Sequence, residues 1–251
     1  MEHFATAQQV FVVGLVFARV AAMAMVMPGL GDQPAPTQVR LAFSILMALI
    51  IAPVVANTLP PTPPTISELM GAVLREVILG LMIGSILRTF MGALATAGEV
   101  ISIQTTLSFA QTANPTMAGS SSSLATFLGL MGVVLIMTTD LHHLFLAAMV
   151  KSYTLFPYGR VLPVADATHM AIRTLSGSFS LGIQLSAPIL VFSLVFNLAT
   201  GLVGRAMPQF QIFFAAAPLQ VLLGLSLFAL SLGVIGMVWV DRYRDVLKYF
   251  G

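Results

Sequence analysis

The chain has 251 residues, 58% of them hydrophobic and only 8% charged, with a formal net charge of +2. An ordinary soluble domain carries roughly 25% charged residues, so this composition cannot cover a water-exposed surface; a balance of +2 with no basic cluster interleaved with aromatics also excludes nucleic acid as a partner. Cysteine is absent, which removes disulfide frameworks and thiolate metal sites.

In chain order, Met1–Gln9 has no basic n-region, so the first apolar segment, Val10–Pro28, is expected to be retained and not cleaved as a signal peptide. Leu41–Leu59, Leu69–Gly98 and Leu124–Val150 follow, then two charge-free stretches, from Arg173 to Arg205 and from Arg205 to Asp241. These make about six segments that match or exceed the roughly 20 residues that cross a hydrocarbon core. They lack the alternation of barrel strands, and lipid satisfies no backbone group, so helices are the expected spanning form. The expected fold is an all-α integral membrane protein.

Three polar interruptions divide the helices. Gly31–Arg40 holds two prolines and Asn57–Ser67 holds four, so both are expected to be extended connections, the second a stiff linker. Thr105–Ser123 is polar yet uncharged and lies inside the charge-free stretch Val100–Thr139. Irregular backbone at membrane depth survives only when buried in protein or lining a water-filled cavity. This segment is therefore either a pore or gate element or an ordinary loop outside the bilayer. Pro53 and Pro188, within apolar runs, are expected to kink or break their helices.

Gly80, Gly84, Arg88 and Gly92 recur every four residues and so line one helix ridge, a packing face for another helix of this chain or for another subunit. Asn197, Gly201 and Arg205 repeat that spacing later. Arg19 falls midway through the first segment, where an Arg costs roughly 2.5–3.5 kcal/mol on insertion-based scales. It needs protein or water beside it, and Glu76 and Glu99 are its candidate partners, although Arg75 and Glu76 fit equally well at a helix entrance in the interface. The positive-inside rule, applied to six spans, places both termini in the cytoplasm.

Enzymatic motifs are missing. The run Ser120–Ser123 lacks a nucleophile elbow, and no phosphate-binding glycine loop occurs. Asp140, His142 and His143 are the one cluster resembling a metal or catalytic site, but adjacent histidines on a helix point to different faces, and helix capping with interfacial hydrogen bonding at a segment boundary is the expected role. No catalytic site, cofactor or metal is expected. A stand-alone small-molecule transporter would need polar groups meeting at mid-membrane and an internal repeat, and the sequence offers neither.

Four stretches in order resemble the FliR family of the bacterial type III export apparatus. They are Met27–Pro53 (MPGLGDQPAPTQVRLAFSILMALIIAP), Arg75–Pro115, which holds REVILGLMIG and GALATAGEVISIQTTLSFAQTANP, Asp140–Gly159 (DLHHLFLAAMVKSYTLFPYG) and Asn197–Leu225 (NLATGLVGRAMPQFQIFFAAAPLQVLLGL). The resemblance covers nearly the whole chain. It implies a FliP-like helical part over 1–175, with a pore loop near 104–123, followed by a FliQ-like hairpin and tail over 176–251. Kinked helical hairpins, much of them drawn out of the bilayer plane, are part of that expectation.

The same resemblance implies one copy of the chain in a hetero-oligomer with FliP-type and FliQ-type subunits beside an FlhB-type protein. That assembly lies in the bacterial inner membrane within the flagellar basal body, contacts lipid, and passes unfolded flagellar proteins outward through a closed pore. An equivalent subunit of a virulence injectisome is the alternative. By resemblance the loop after the Gly98–Glu99 pair enters and plugs the pore. It corresponds to Gln104–Met117, with Leu107, Ser108 and Phe109 as its apolar core and Met117 as a flexible seal. Family members carry Gly before the Leu-Ser pair, where this chain has Thr106, a residue that restricts the backbone. Arg205–Gln211 matches an R-x-x-P-Q element in which Arg205, Pro208 and Gln209 are expected to contact neighbouring subunits; Pro208 would also end a helix.

Overall fold

A computed structural model describes residues 6–29, 31, 36–60, 65–108, 122–158, 164–207, 209 and 212–248. Among these residues there is no strand. The helices are α1 (Ala7–Val26), α2 (Thr37–Val55), α3 (Ile66–Gln104), α4 (Ser123–Thr138), α5 (Leu141–Leu155), α6 (Val164–Ala206) and α7 (Ile212–Lys248), with a 3-10 turn at Ala56–Thr58 after α2. The chain is thus an all-α, multi-pass membrane protein: five helices, α1, α2, α3, α6 and α7, are long and apolar enough to cross a bilayer.

Local chemistry sets several of the helix ends. At α1 the Thr6 hydroxyl accepts from the Gln9 amide while the Gln9 side chain accepts from the Thr6 amide, a reciprocal capping box. Glu68 and Asp166 lie in the first turns of α3 and α6, and Arg205 and Lys248 in the last turns of α6 and α7, each matched to the helix dipole.

Several expected boundaries shift. The apolar run Leu124–Val150 is not one straight span, because α4 and α5 meet at 77° across Thr139–Asp140, where Asp140 adopts φ 58°. Pro53 and Pro188 break neither α2 nor α6. Each proline removes one ladder bond, and the turns on either side carry the helix through. α2 begins at Thr37, inside the first expected connection, while Asn57 and Thr58 lie in the 3-10 turn and Ile66 and Ser67 in α3, inside the second. α6 runs through Arg173 and α7 through Asp241, Arg242 and Arg244, because a charge ends a hydrocarbon segment without ending a helix. With 39, 43 and 37 residues, α3, α6 and α7 are roughly 55–65 Å long, about twice a hydrocarbon core.

Two compact units interleave along the sequence, residues 1–90 with 136–174 and 244–251, and residues 91–135 with 175–243, so α3, α4, α6 and α7 each contribute to both. In the first unit Val16, Val20 and Met23 of α1, Leu79 and Ile83 of α3 and Met149 of α5 are fully buried. In the second, Leu94 and Ala97 of α3, Leu128 of α4, Ile189 of α6 and Trp239 of α7 are fully buried, and Phe127 meets Phe228 edge to face at 6.2 Å. Leu194, Leu198 and Leu202 on α6 and Leu222, Leu230 and Met237 on α7 are exposed. Such outward apolar faces suit lipid or protein neighbours and not water.

Candidate functional site

Arg19, the one charge in the middle of α1, is fully buried and forms a bidentate ion pair with Glu76 of α3. Its Nη1 donates to the Ser152 carbonyl at 3.0 Å and to the Ser152 hydroxyl at 3.3 Å, and Nη2 donates to Glu76 at 3.0 Å and to the Phe156 carbonyl at 3.3 Å. With Nε on Glu76, every one of the five guanidinium N–H groups has an acceptor. The guanidinium also covers the Tyr153 ring, 4.0 Å from its centroid. Glu76 therefore lies inside the protein, ten residues past the start of α3 and not at its entrance. Glu99, the other candidate partner, is engaged elsewhere, its carboxylate accepting from the Ser122 amide at 2.6 Å.

The glycine ridge explains how α1 and α3 come close enough for that pair. A Cβ at Gly80 would run into the Arg19 carbonyl oxygen and lie 2.8 Å from the Ala22 Cβ, and one at Gly84 would lie 3.1 Å from the Met23 carbonyl oxygen. Arg88 donates to the Val26 carbonyl at 3.4 Å, and a Cβ at Gly92 would lie 3.5 Å from the Ser178 hydroxyl of α6. Asn197 donates to the Ser193 hydroxyl at 3.2 Å, one turn away on α6. Gly201 meets nothing within 4 Å, and Arg205 and Gln209 are exposed, so this second set presents an open surface. Pro208 lies outside the described residues.

At the root of the polar segment α3 ends at Gln104. The last four carbonyls of a helix lack intrahelical partners, and here each finds one. Ile101 accepts from the Thr105 amide at 2.9 Å and from its hydroxyl at 2.8 Å, Ser102 from that hydroxyl at 3.4 Å, and Ile103 from the Thr106 amide at 3.2 Å. The Gln104 carbonyl accepts from the Gln220 side chain of α7 at 2.8 Å, and the Gln104 side-chain oxygen accepts from the Ser193 hydroxyl of α6 at 2.7 Å. Thr106 has φ 58°, the left-handed region. A glycine enters that region freely and a β-branched residue only under strain, so the backbone here takes a shape that glycine favours. Leu107 and Ser108 follow, half-buried; Phe109 and Met117 lie outside the described residues.

Asp140, His142 and His143 come together more closely than adjacent helix positions suggest. The imidazole centroids are 4.1 Å apart, and one potential ligand atom from each of the three residues lies within 4.8 Å of the others. Asp140 occupies the N-cap position of α5, but its side chain makes no capping bond; its carboxylate faces His143 at 3.7 Å instead. The expected capping role is thereby corrected, because the left-handed backbone at Asp140 turns the side chain away from the first-turn amides.

Ser152, Tyr153, Ser193 and Gln220 were not singled out from the sequence. Their signal is faint: isolated polar residues in apolar helices, where a hydrogen bond across helices is the usual reason for their presence.

The chain matches the family described as bacterial export proteins, family 1, over residues 10–246. It is 64% identical over 250 residues to the flagellar biosynthetic protein FliR of Caulobacter vibrioides, covering 100% of both chains. To the proteins of the same name from Escherichia coli K12 and Aquifex aeolicus it is 30% and 28% identical, over 92% and 94% of this chain and 87% and 91% of theirs. With apolar helices of spanning length, a buried Arg19–Glu76 pair between two of them and a likeness that runs from end to end, the chain belongs to the FliR family of bacterial flagellar export proteins.

Proposed function

We propose that the chain is a non-enzymatic subunit of the flagellar type III export gate in the bacterial inner membrane, assembled as one copy with FliP-type and FliQ-type subunits and an FlhB-type protein. The observation that carries this reading is the full-length likeness to relatives named as flagellar biosynthetic proteins. Two physical features support it. The exposed leucines of α6 and α7 call for apolar neighbours, and α3, α6 and α7 are too long to be simple spans.

In this reading residues 104–117 form the pore loop, with Leu107, Ser108 and Phe109 at its apolar core and Met117 beside them. Bulky apolar groups close a channel by packing and dewetting and withdraw when a chain enters. The glycine-lined face of α3 packs within the subunit, and Arg205, Pro208 and Gln209 meet a neighbouring one.

Two measurements test the proposal. Mass measurement of the intact complex purified through this chain is expected to return one copy of it with several copies of FliP-type and FliQ-type subunits; a chain that purifies alone, without them, contradicts the assembly. Phe109→Ala in the assembled gate is expected to raise ion conductance, and unchanged conductance removes the plug assignment.

A further inference from the structure

We infer that Gln220, with Ser193 behind it, is a positioning residue that fixes the direction in which the polar segment leaves α3. The inference rests on the reading of residues 104–117 as the pore loop, and adds to it that α6 and α7, far away in sequence, set the loop's starting geometry.

The argument begins with the backbone. Of the four carbonyls at the end of α3, three are satisfied within residues 101–106. The fourth, on Gln104, finds its partner among the described residues in the side chain of Gln220, 116 positions later. A carbonyl partly shielded from water in an apolar region is costly to leave without a partner, so the corner is stable where Gln220 can reach it. Gln220 is 7% exposed and Ser193 fully buried, so the two groups that hold Gln104 are themselves shielded from water.

The side chain of Gln104 is held separately. Its oxygen accepts from Ser193, whose own oxygen accepts from Asn197. The two bonds grip one residue from two helices, which fixes both its position and its rotation. A third contact presses from the side: a Cβ at Gly224 would lie 2.6 Å from the Thr105 methyl, so α7 approaches Thr105 only because residue 224 has no side chain. Immediately beyond the grip, Thr106 is held at φ 58°. Strained backbone persists where its surroundings over-determine it, and the bonds to Gln104 together with the contact on Thr105 supply that over-determination.

The absence of cysteine allows a direct test. Ser108→Cys is introduced as this chain's sole thiol, and the rate at which this chain reacts with a water-soluble maleimide in the assembled export complex is measured. Gln220→Leu, which keeps the bulk and removes the donor, is expected to raise that rate at least ten-fold with assembly intact. Gly224→Ala, which pushes on Thr105, is expected to raise it as well, and Ser193→Ala by a smaller factor. An unchanged rate in Gln220→Leu overturns the inference. If that variant fails to assemble, Gly224→Ala and Ser193→Ala carry the test on the same readout, and unchanged rates in both overturn it. The conductance of Phe109→Ala is scored independently. Faster labelling without a Phe109→Ala leak supports the grip and removes the plug; a leak with unchanged labelling keeps the plug and removes the grip.

Discussion

Arg19 and Glu76, 57 positions apart, form a fully buried bidentate ion pair that joins α1 to α3. Removing one member of a buried pair strands the other charge and costs about 3–5 kcal/mol, whereas replacing both with apolar groups of similar volume costs far less. Glu76→Leu and Arg19→Met are each expected to lower the yield and thermal stability of the assembled complex severely. The double variant is expected to recover much of the loss. A double variant as damaged as the sum of the singles would show that the two residues act independently, and a thermal double-mutant cycle makes the comparison.

The close approach of α1 and α3 depends on Gly80. Its missing Cβ leaves room for the Arg19 carbonyl and Ala22 Cβ, and backbone cannot move aside as a flexible side chain does. Gly80→Ala is expected to destabilise by about 1–3 kcal/mol through overpacking. Gly233→Ala, in open space on α7, is expected to be neutral or to stabilise by a few tenths up to about 1 kcal/mol from improved helix propensity. Thermal unfolding of the purified complex distinguishes the two.

Tyr153 lies beneath the Arg19 guanidinium, yet its buried hydroxyl makes no hydrogen bond among the described residues. Tyr153→Phe keeps the aromatic face and removes the unsatisfied group, so stability is expected to hold or to rise by about 1 kcal/mol. Tyr153→Leu removes the ring and is expected to cost about 1–2 kcal/mol. Equal losses in both variants would mean that the hydroxyl is bonded in the assembly.

Thr106 at φ 58° carries strain that glycine would not. Thr106→Gly is expected to raise stability by about 1 kcal/mol, seen as a higher unfolding midpoint, while Thr106→Val is expected to keep the strain and give no gain. A loss in Thr106→Gly would indicate that rigidity at this corner matters more than strain.

The helical, membrane-embedded character of the chain was legible in its composition, since 58% hydrophobic residues with 8% charged admit no other surface. Hydropathy also located Arg19 as a charge in need of company. It could not choose between Glu76 and Glu99, because helical period says which residues share a face but not which helix that face meets. Hydropathy likewise misjudged where helices end. Charges such as Arg173 and Asp241 mark the edge of an apolar stretch, whereas the backbone ladder runs on through them.

By itself the sequence determined a greasy, cysteine-free, all-helical chain with a glycine-notched ridge on α3 and an uncharged polar segment after it, and the four ordered motifs that mark its family. Only the tertiary structure decided that Glu76 answers Arg19, that Glu99 caps Ser122, and that Gln220 and Ser193 hold Gln104. The reason is physical: a periodic pattern follows from local geometry, but a hydrogen bond between residues 116 positions apart depends on which helices pack together and in what register, and that is settled by the whole chain at once.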